Sequence, residues 1–97
     1  FRRVLFRSVR ATDSVVRWGG EEFLLVLPYC EQAAALLQAE RLRERVAAAE
    51  QGEVGRVTVS MGVAELQRGE TLANLIERVD QALYQAKHAG RNQVSGG

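Results

Sequence analysis

Two glycines followed at once by two carboxylates, Gly19-Gly20-Glu21-Glu22, form the most chemically specific stretch of this 97-residue chain. Glycine admits positive φ and lets another molecule approach the backbone closely. Adjacent carboxylates repel each other unless a cation offsets them, and their hard oxygens suit a divalent ion. A purely structural turn favours Asn-Gly or Asp-Gly and has no use for two juxtaposed acids. The pattern points to metal-assisted chemistry at Glu21 and Glu22, with Gly19 and Gly20 leaving room for a ligand. A second charged pair, Lys87 and Arg91, lies four residues apart at the end of a helical pattern, where two cations can converge on one polyphosphate. The plainer role for that pair is to complement the negative end of the helix dipole. His88 between them reads as an exposed helix residue, not a ligand. Cys30 is the single cysteine, which excludes an internal disulfide, and it reads as a half-buried residue at a strand-to-helix junction.

The elements that must position these residues are legible around them. Ser14 to Trp18 is β-branched and aromatic, and Phe23 to Leu27 is an apolar run stopped by Pro28, so the glycine pair is the turn of a hairpin. From Glu31 to Glu50 the chain is rich in Ala, Leu, Glu, Arg and Gln without Gly or Pro, which predicts a helix. Leu36, Ala39, Leu42, Val46 and Ala49 make its inward face, and Arg41, Arg43 and Arg45 alternate with Glu40 and Glu44 as a salt-bridged, solvated face. Val57, Val59, Met61 and Val63 share one side of a strand, in which Gly62 permits close packing. Thr71 is the expected N-cap of a last helix whose apolar stripe is Leu72, Leu75, Ile76, Val79, Ala82, Leu83 and Ala86, and Gly90 supplies the conformation needed to end it.

Arg17-Trp18-Gly19-Gly20-Glu21-Glu22-Phe23 followed by an apolar strand resembles the GGDEF family of diguanylate cyclases in its Gly-Gly-Glu-Glu-Phe form. Three further stretches match in order: Arg10-x-x-Asp13, Thr58-x-Ser60-x-Gly62-x-Ala64, and Asp80-x-Ala82-Leu83-Tyr84-x-Ala86-Lys87-x-x-Gly90-Arg91-Asn92. The resemblance implies an α+β fold, an antiparallel sheet with helices on one face in a ferredoxin-like, nucleotidyl-cyclase palm of βαββαβ order. It implies that residues 9–97 are the C-terminal part of one such domain, truncated at the N-terminus and missing the first strand and helix. Those would carry a metal-binding Asp and the guanine contacts, so the fragment alone is expected to be inactive.

By the same resemblance, the parent protein condenses two GTP molecules into cyclic di-GMP and pyrophosphate. Glu21 and Glu22 are then the catalytic and metal-binding residues, with Mg2+ or Mn2+ as the cofactor. Gly19, Gly20, Lys87 and Arg91 bind substrate, and Arg10 and Asp13, with Arg41 of a neighbouring domain, bind the inhibitory product. Each domain holds one GTP, so a homodimer is implied. The alternative is a non-catalytic module that binds cyclic di-GMP through Arg10 and Asp13. The retained acids Glu21 and Glu22 favour the enzyme, since receptor members usually lose them.

Thirteen basic and twelve acidic residues give a net charge of +1, which implies no bulk attraction to nucleic acid or membrane. No apolar run reaches the length of a membrane span, and a cytoplasmic location is expected. Phe1 to Ser8 reads as a non-native leader, because the codons TTC AGA CGT GTG CTC TTC CGA TCT would encode it and resemble the end of a sequencing adaptor. Without Arg2, Arg3 and Arg7 the balance is ten basic against twelve acidic residues, or −2.

Overall fold

The structure is a computed structural model that describes residues 14–19, 22–27, 30–48 and 58–97. Arg10, Asp13, Gly20, Glu21, Ala49 and the leader 1–8 lie outside the described residues. Strands β1 (Ser14–Gly19) and β2 (Glu22–Val26) are antiparallel, with Ser14 opposite Val26, Val15 opposite Leu25, Val16 opposite Leu24 and Arg17 opposite Phe23. The register shifts between Arg17 and Gly19, so Trp18 is an extra residue on β1 and the ladder resumes with Gly19 opposite Glu22. Such an insertion bends and twists the end of a hairpin.

Helix α1 (Gln32–Ala48) buries Ala39, Leu42 and Val46, the three-and-four spacing expected from the sequence. Val46 is fully buried, which contributes about 1.5–3 kcal/mol as an upper estimate. Leu25 of β2, Val59, and Met61 of strand β3 (Met61–Val63) pack against Leu42 and Val46. One helix face therefore covers parts of both the hairpin and the second pair of strands. The last elements are helix α2 (Leu72–His88) and strand β4 (Val94–Gly96). The sequence gives no strand signal at Val94-Ser95-Gly96, yet β4 lies beside β3 and parallel to it, because α2 carries the chain back across the sheet. Among the described residues no ladder joins β2 to β3.

Gly62 is required by packing. A Cβ there would stand 2.5 Å from both the Leu83 nitrogen and the Val79 oxygen, so α2 rests directly on the β3 backbone. Thr71 caps α2 as expected, its hydroxyl accepting from the Asn74 amide at 3.2 Å. Leu72 departs from the expected stripe and is 66% exposed. The backbone of β3 at Gly62 and of Gly97, just after β4, meets α2 at Arg78, Val79, Ala82 and Leu83, past its first turn, which leaves Leu72 beyond these contacts. Ala82 and Ala86, further along, are buried.

The start of α1 has no acidic residue in its first turn. Glu65 supplies one from the loop after β3, its carboxylate accepting from the Gln32 amide at 2.6 Å. The Arg78 guanidinium donates to the Glu65 carbonyl at 2.6 Å and to the Glu70 carboxylate at 2.6 and 2.7 Å. The Gln32 side chain donates to the Gly97 carbonyl at 3.2 Å, which ties the end of the chain to the same corner.

Candidate functional site

The hairpin end is built from backbone. β1 stops at Gly19 and β2 starts at Glu22, its Cα partner. A carboxylate-bearing residue thus opens the strand opposite a residue with no Cβ, next to the Trp18 irregularity. The two residues between the strands, Gly20 and Glu21, lie outside the described residues, as do Arg10 and Asp13. Among the described residues no cluster of three or more His, Cys, Asp and Glu side chains forms. Glu21 and Glu22, adjacent in sequence, carry the hard oxygen donors that a divalent ion would take.

The second group of candidates sits where α2 ends. Lys87 lies half-buried in the last helical turn, the helix stops at His88, and Ala89 is its C-cap. Arg91 is therefore not on a continuous helix with Lys87; it stands beyond the C-terminus. Gly90 has φ 123°, and the Arg91 amide donates to the Ala86 carbonyl at 3.1 Å, closing the helix in the six-to-one bond of a Schellman turn. Arg91 and Asn92 then also take positive φ, 63° and 49°. His88 stacks on Tyr84 with ring centroids 3.8 Å apart, and its Nδ1 lies 3.0 Å from the Tyr84 carbonyl. That partner is set by helical i,i+4 spacing, and the exposed reading of His88 holds.

Arg41 is exposed on α1. Arg43 corrects the reading of this helix as carrying its charges on a solvated face. Its side chain is only 18% exposed. Its Nε donates to both Glu40 oxygens, at 3.0 and 3.1 Å, its Nη2 pairs with the same carboxylate, and its Nη1 donates to the Asn92 side-chain oxygen at 2.9 Å. The hydrogen bonds from Arg43 hold the Glu40 carboxyl below the usual carboxylate range, and the same pairing raises the Arg43 guanidinium. Ser60, just before β3, accepts from the Asn92 amide at 3.1 Å. The signal that could have flagged Arg43 is its spacing, four residues after Ala39 and three before Val46, which puts it on the flank of the buried stripe.

The sequence matches the family described as diguanylate cyclase, GGDEF domain, over residues 1–93. The chain belongs to the GGDEF family. It is 47% identical over 92 residues to the diguanylate cyclase DgcM of Escherichia coli K12, a match covering 95% of this chain and 22% of that protein. Among solved structures, the GGDEF domain of DgcB from Caulobacter crescentus in complex with c-di-GMP superposes with a TM-score of 0.89 at 32% identity, covering 97% of this chain and 58% of that one. The active GGEEF domain of a diguanylate cyclase from Vibrio cholerae gives a TM-score of 0.85 at 31% identity, covering 98% of this chain and 62% of that one. The chain spans about a fifth of the length of the curated relatives it matches. The GGDEF fold agrees with the α+β palm expected from sequence, and membership in the family carries a general requirement for a divalent metal. No helix among the described residues is long and apolar enough to cross a membrane.

Proposed function

We propose that this GGDEF chain forms part of a cytoplasmic diguanylate cyclase that condenses two GTP molecules into cyclic di-GMP, releasing two pyrophosphates. The observation that carries this reading is the hairpin end, where the Gly-Gly-Glu-Glu-Phe signature places Glu22 at the start of β2 opposite Gly19. In each half of the reaction a ribose 3′-hydroxyl attacks the α-phosphorus of the other nucleotide. The new P–O bond forms as the bond to pyrophosphate breaks, and the hydroxyl proton leaves to a carboxylate or to solvent. Most of the catalysis asked of the protein is alignment and charge compensation. Glu21 and Glu22 would hold Mg2+ or Mn2+, which when bound would supply charge compensation for the phosphate oxygens. Where a carboxylate takes that proton, it is one of this pair, Glu21 before Glu22. Gly19 and Gly20 leave the backbone open to nucleotide, and Lys87 and Arg91 grip the β- and γ-phosphates. Because each domain holds one GTP, the working species is a homodimer, and Arg10 and Asp13, with Arg41 of a second domain, bind product as an inhibitor.

The test uses the protein expressed from the complete reading frame that encodes the chain, supplied with GTP and magnesium. Cyclic di-GMP formation that collapses in both Glu21→Ala and Glu22→Ala supports the cyclase and the metal site. No turnover, with cyclic di-GMP still bound and released by Arg10→Ala, overturns the cyclase in favour of a receptor.

A further inference from the structure

The turn after α2 is more contorted than ending a helix requires. Gly90 at φ 123° and the bond from the Arg91 amide to the Ala86 carbonyl already close α2. The chain nevertheless continues through two more left-handed residues, Arg91 at 63° and Asn92 at 49°. Asn tolerates that conformation, whereas Arg has no local compensation for it. Strained backbone of this kind persists only where its surroundings over-determine it.

Here the surroundings are distant in sequence. Ser60 accepts from the Asn92 amide at 3.1 Å, and the Arg43 guanidinium donates to the Asn92 side-chain oxygen at 2.9 Å. Arg43 cannot swing away freely, because Glu40 fixes the other edge of the same guanidinium with bonds of 3.0 and 3.1 Å from Nε. On the far side of Asn92, the Gln93 carbonyl accepts from the Met61 amide at 2.8 Å, and the Gln93 side chain donates to the Ala89 carbonyl at 2.7 Å. Arg91 is thus an exposed cation clamped on both flanks by residues that are themselves held.

We propose that Arg43 is a positioning residue for substrate: through Asn92, and together with Ser60, it fixes the left-handed turn that aims Arg91 at the nucleotide's terminal phosphates. This rests on the reading of Arg91 as a phosphate-binding residue. Arg43 does not touch the nucleotide. It acts by lowering the conformational freedom that Arg91 loses on binding, which is a gain through preorganisation.

The experiment measures dissociation constants for a non-hydrolysable GTP analogue and for GMP, using protein from the complete reading frame. Arg43→Gln weakens the triphosphate about threefold to tenfold and leaves GMP unchanged, since GMP lacks the phosphates that Arg91 meets. Arg43→Lys, which keeps a donor, recovers part of the loss. In an Arg91→Ala background, Arg43→Gln has no further effect. Should Arg43→Gln fold poorly, Asn92→Gly keeps access to the left-handed conformation and the Arg43–Glu40 pair while removing the side-chain link that holds the turn, and it shows the same selective loss. Equal weakening of GTP analogue and GMP, an undiminished effect of Arg43→Gln in the Arg91→Ala background, or wild-type affinity in Asn92→Gly overturns the positioning role and leaves the phosphate site standing. Unchanged triphosphate affinity in Arg91→Ala overturns the phosphate site itself and this inference with it.

Discussion

The hairpin end and the turn after α2 present charge in opposite ways. At the hairpin, Glu21 and Glu22 are adjacent in sequence, and Glu22 opens a strand held by its own antiparallel ladder. At the turn, basic residues occupy a backbone held by side chains from elsewhere, with Arg43 lying 49 residues and Ser60 lying 32 residues before Asn92. An acidic hairpin can collect a cation wherever its two strands pair. The basic turn keeps its shape only while α1, β3 and α2 stay docked. The chemistry proposed for the hairpin therefore rests on local pairing, and that proposed for the turn depends on tertiary packing.

Glu22→Ala gives the largest expected effect. It should lower cyclic di-GMP formation on the order of a hundredfold or more, a loss typical of removing charge stabilisation at a reacting phosphate. Thermal unfolding should hardly change, because the β1–β2 ladder is made by backbone. A large loss of stability would show that the Glu22 side chain, and not only the backbone ladder, holds the hairpin. Leu42→Ala comes next, with an expected destabilisation of about 2–4 kcal/mol by denaturant titration. Leu42 is 4% exposed and belongs to the cluster joining Leu25 of the hairpin to Met61 of β3, so both regions should loosen together.

Gly62→Ala should separate them. The added methyl meets the α2 backbone at 2.5 Å and should cost about 1–3 kcal/mol while shifting α2 and the turn that follows it. Amide exchange should rise around Gly90 to Asn92 and stay as it was in β1 and β2. Equal change in both places would mean that the turn is no more dependent on docking than the hairpin.

The smallest effect concerns pH. Hydrogen bonds from Arg78, and a further one from the Gln67 amide, hold the Glu70 carboxyl below its ordinary range. A lowered carboxyl adds stability that is complete above the ordinary carboxylate pKa and is lost as pH falls through the lowered folded value. Glu70→Gln should remove that part of the acid dependence of the melting temperature and leave the profile near neutrality flat. The pair anchors the start of α2, so the change should be felt at the helix and not at the hairpin.

How much of this was written in the sequence follows from how far each interaction reaches. The hairpin, both helices, the Thr71 cap, the Gly90 stop and the need for a small residue at Gly62 all rest on patterns within a few residues, and all were legible. The Arg43–Asn92–Ser60 clamp was not, because each member has an ordinary local explanation: an i,i+3 ion pair, a residue after a helix, a strand hydroxyl. Strand β4 escaped for a similar reason, since its three residues pair only once α2 has brought them beside β3. The exposure of Leu72 depends on where along α2 those strands make contact. The sequence by itself determined which residues could do chemistry, through side-chain type and near-neighbour spacing. Tertiary structure alone decided how the turn carrying Arg91 is held, because hydrogen bonds between residues far apart in the chain exist only after the helices have docked.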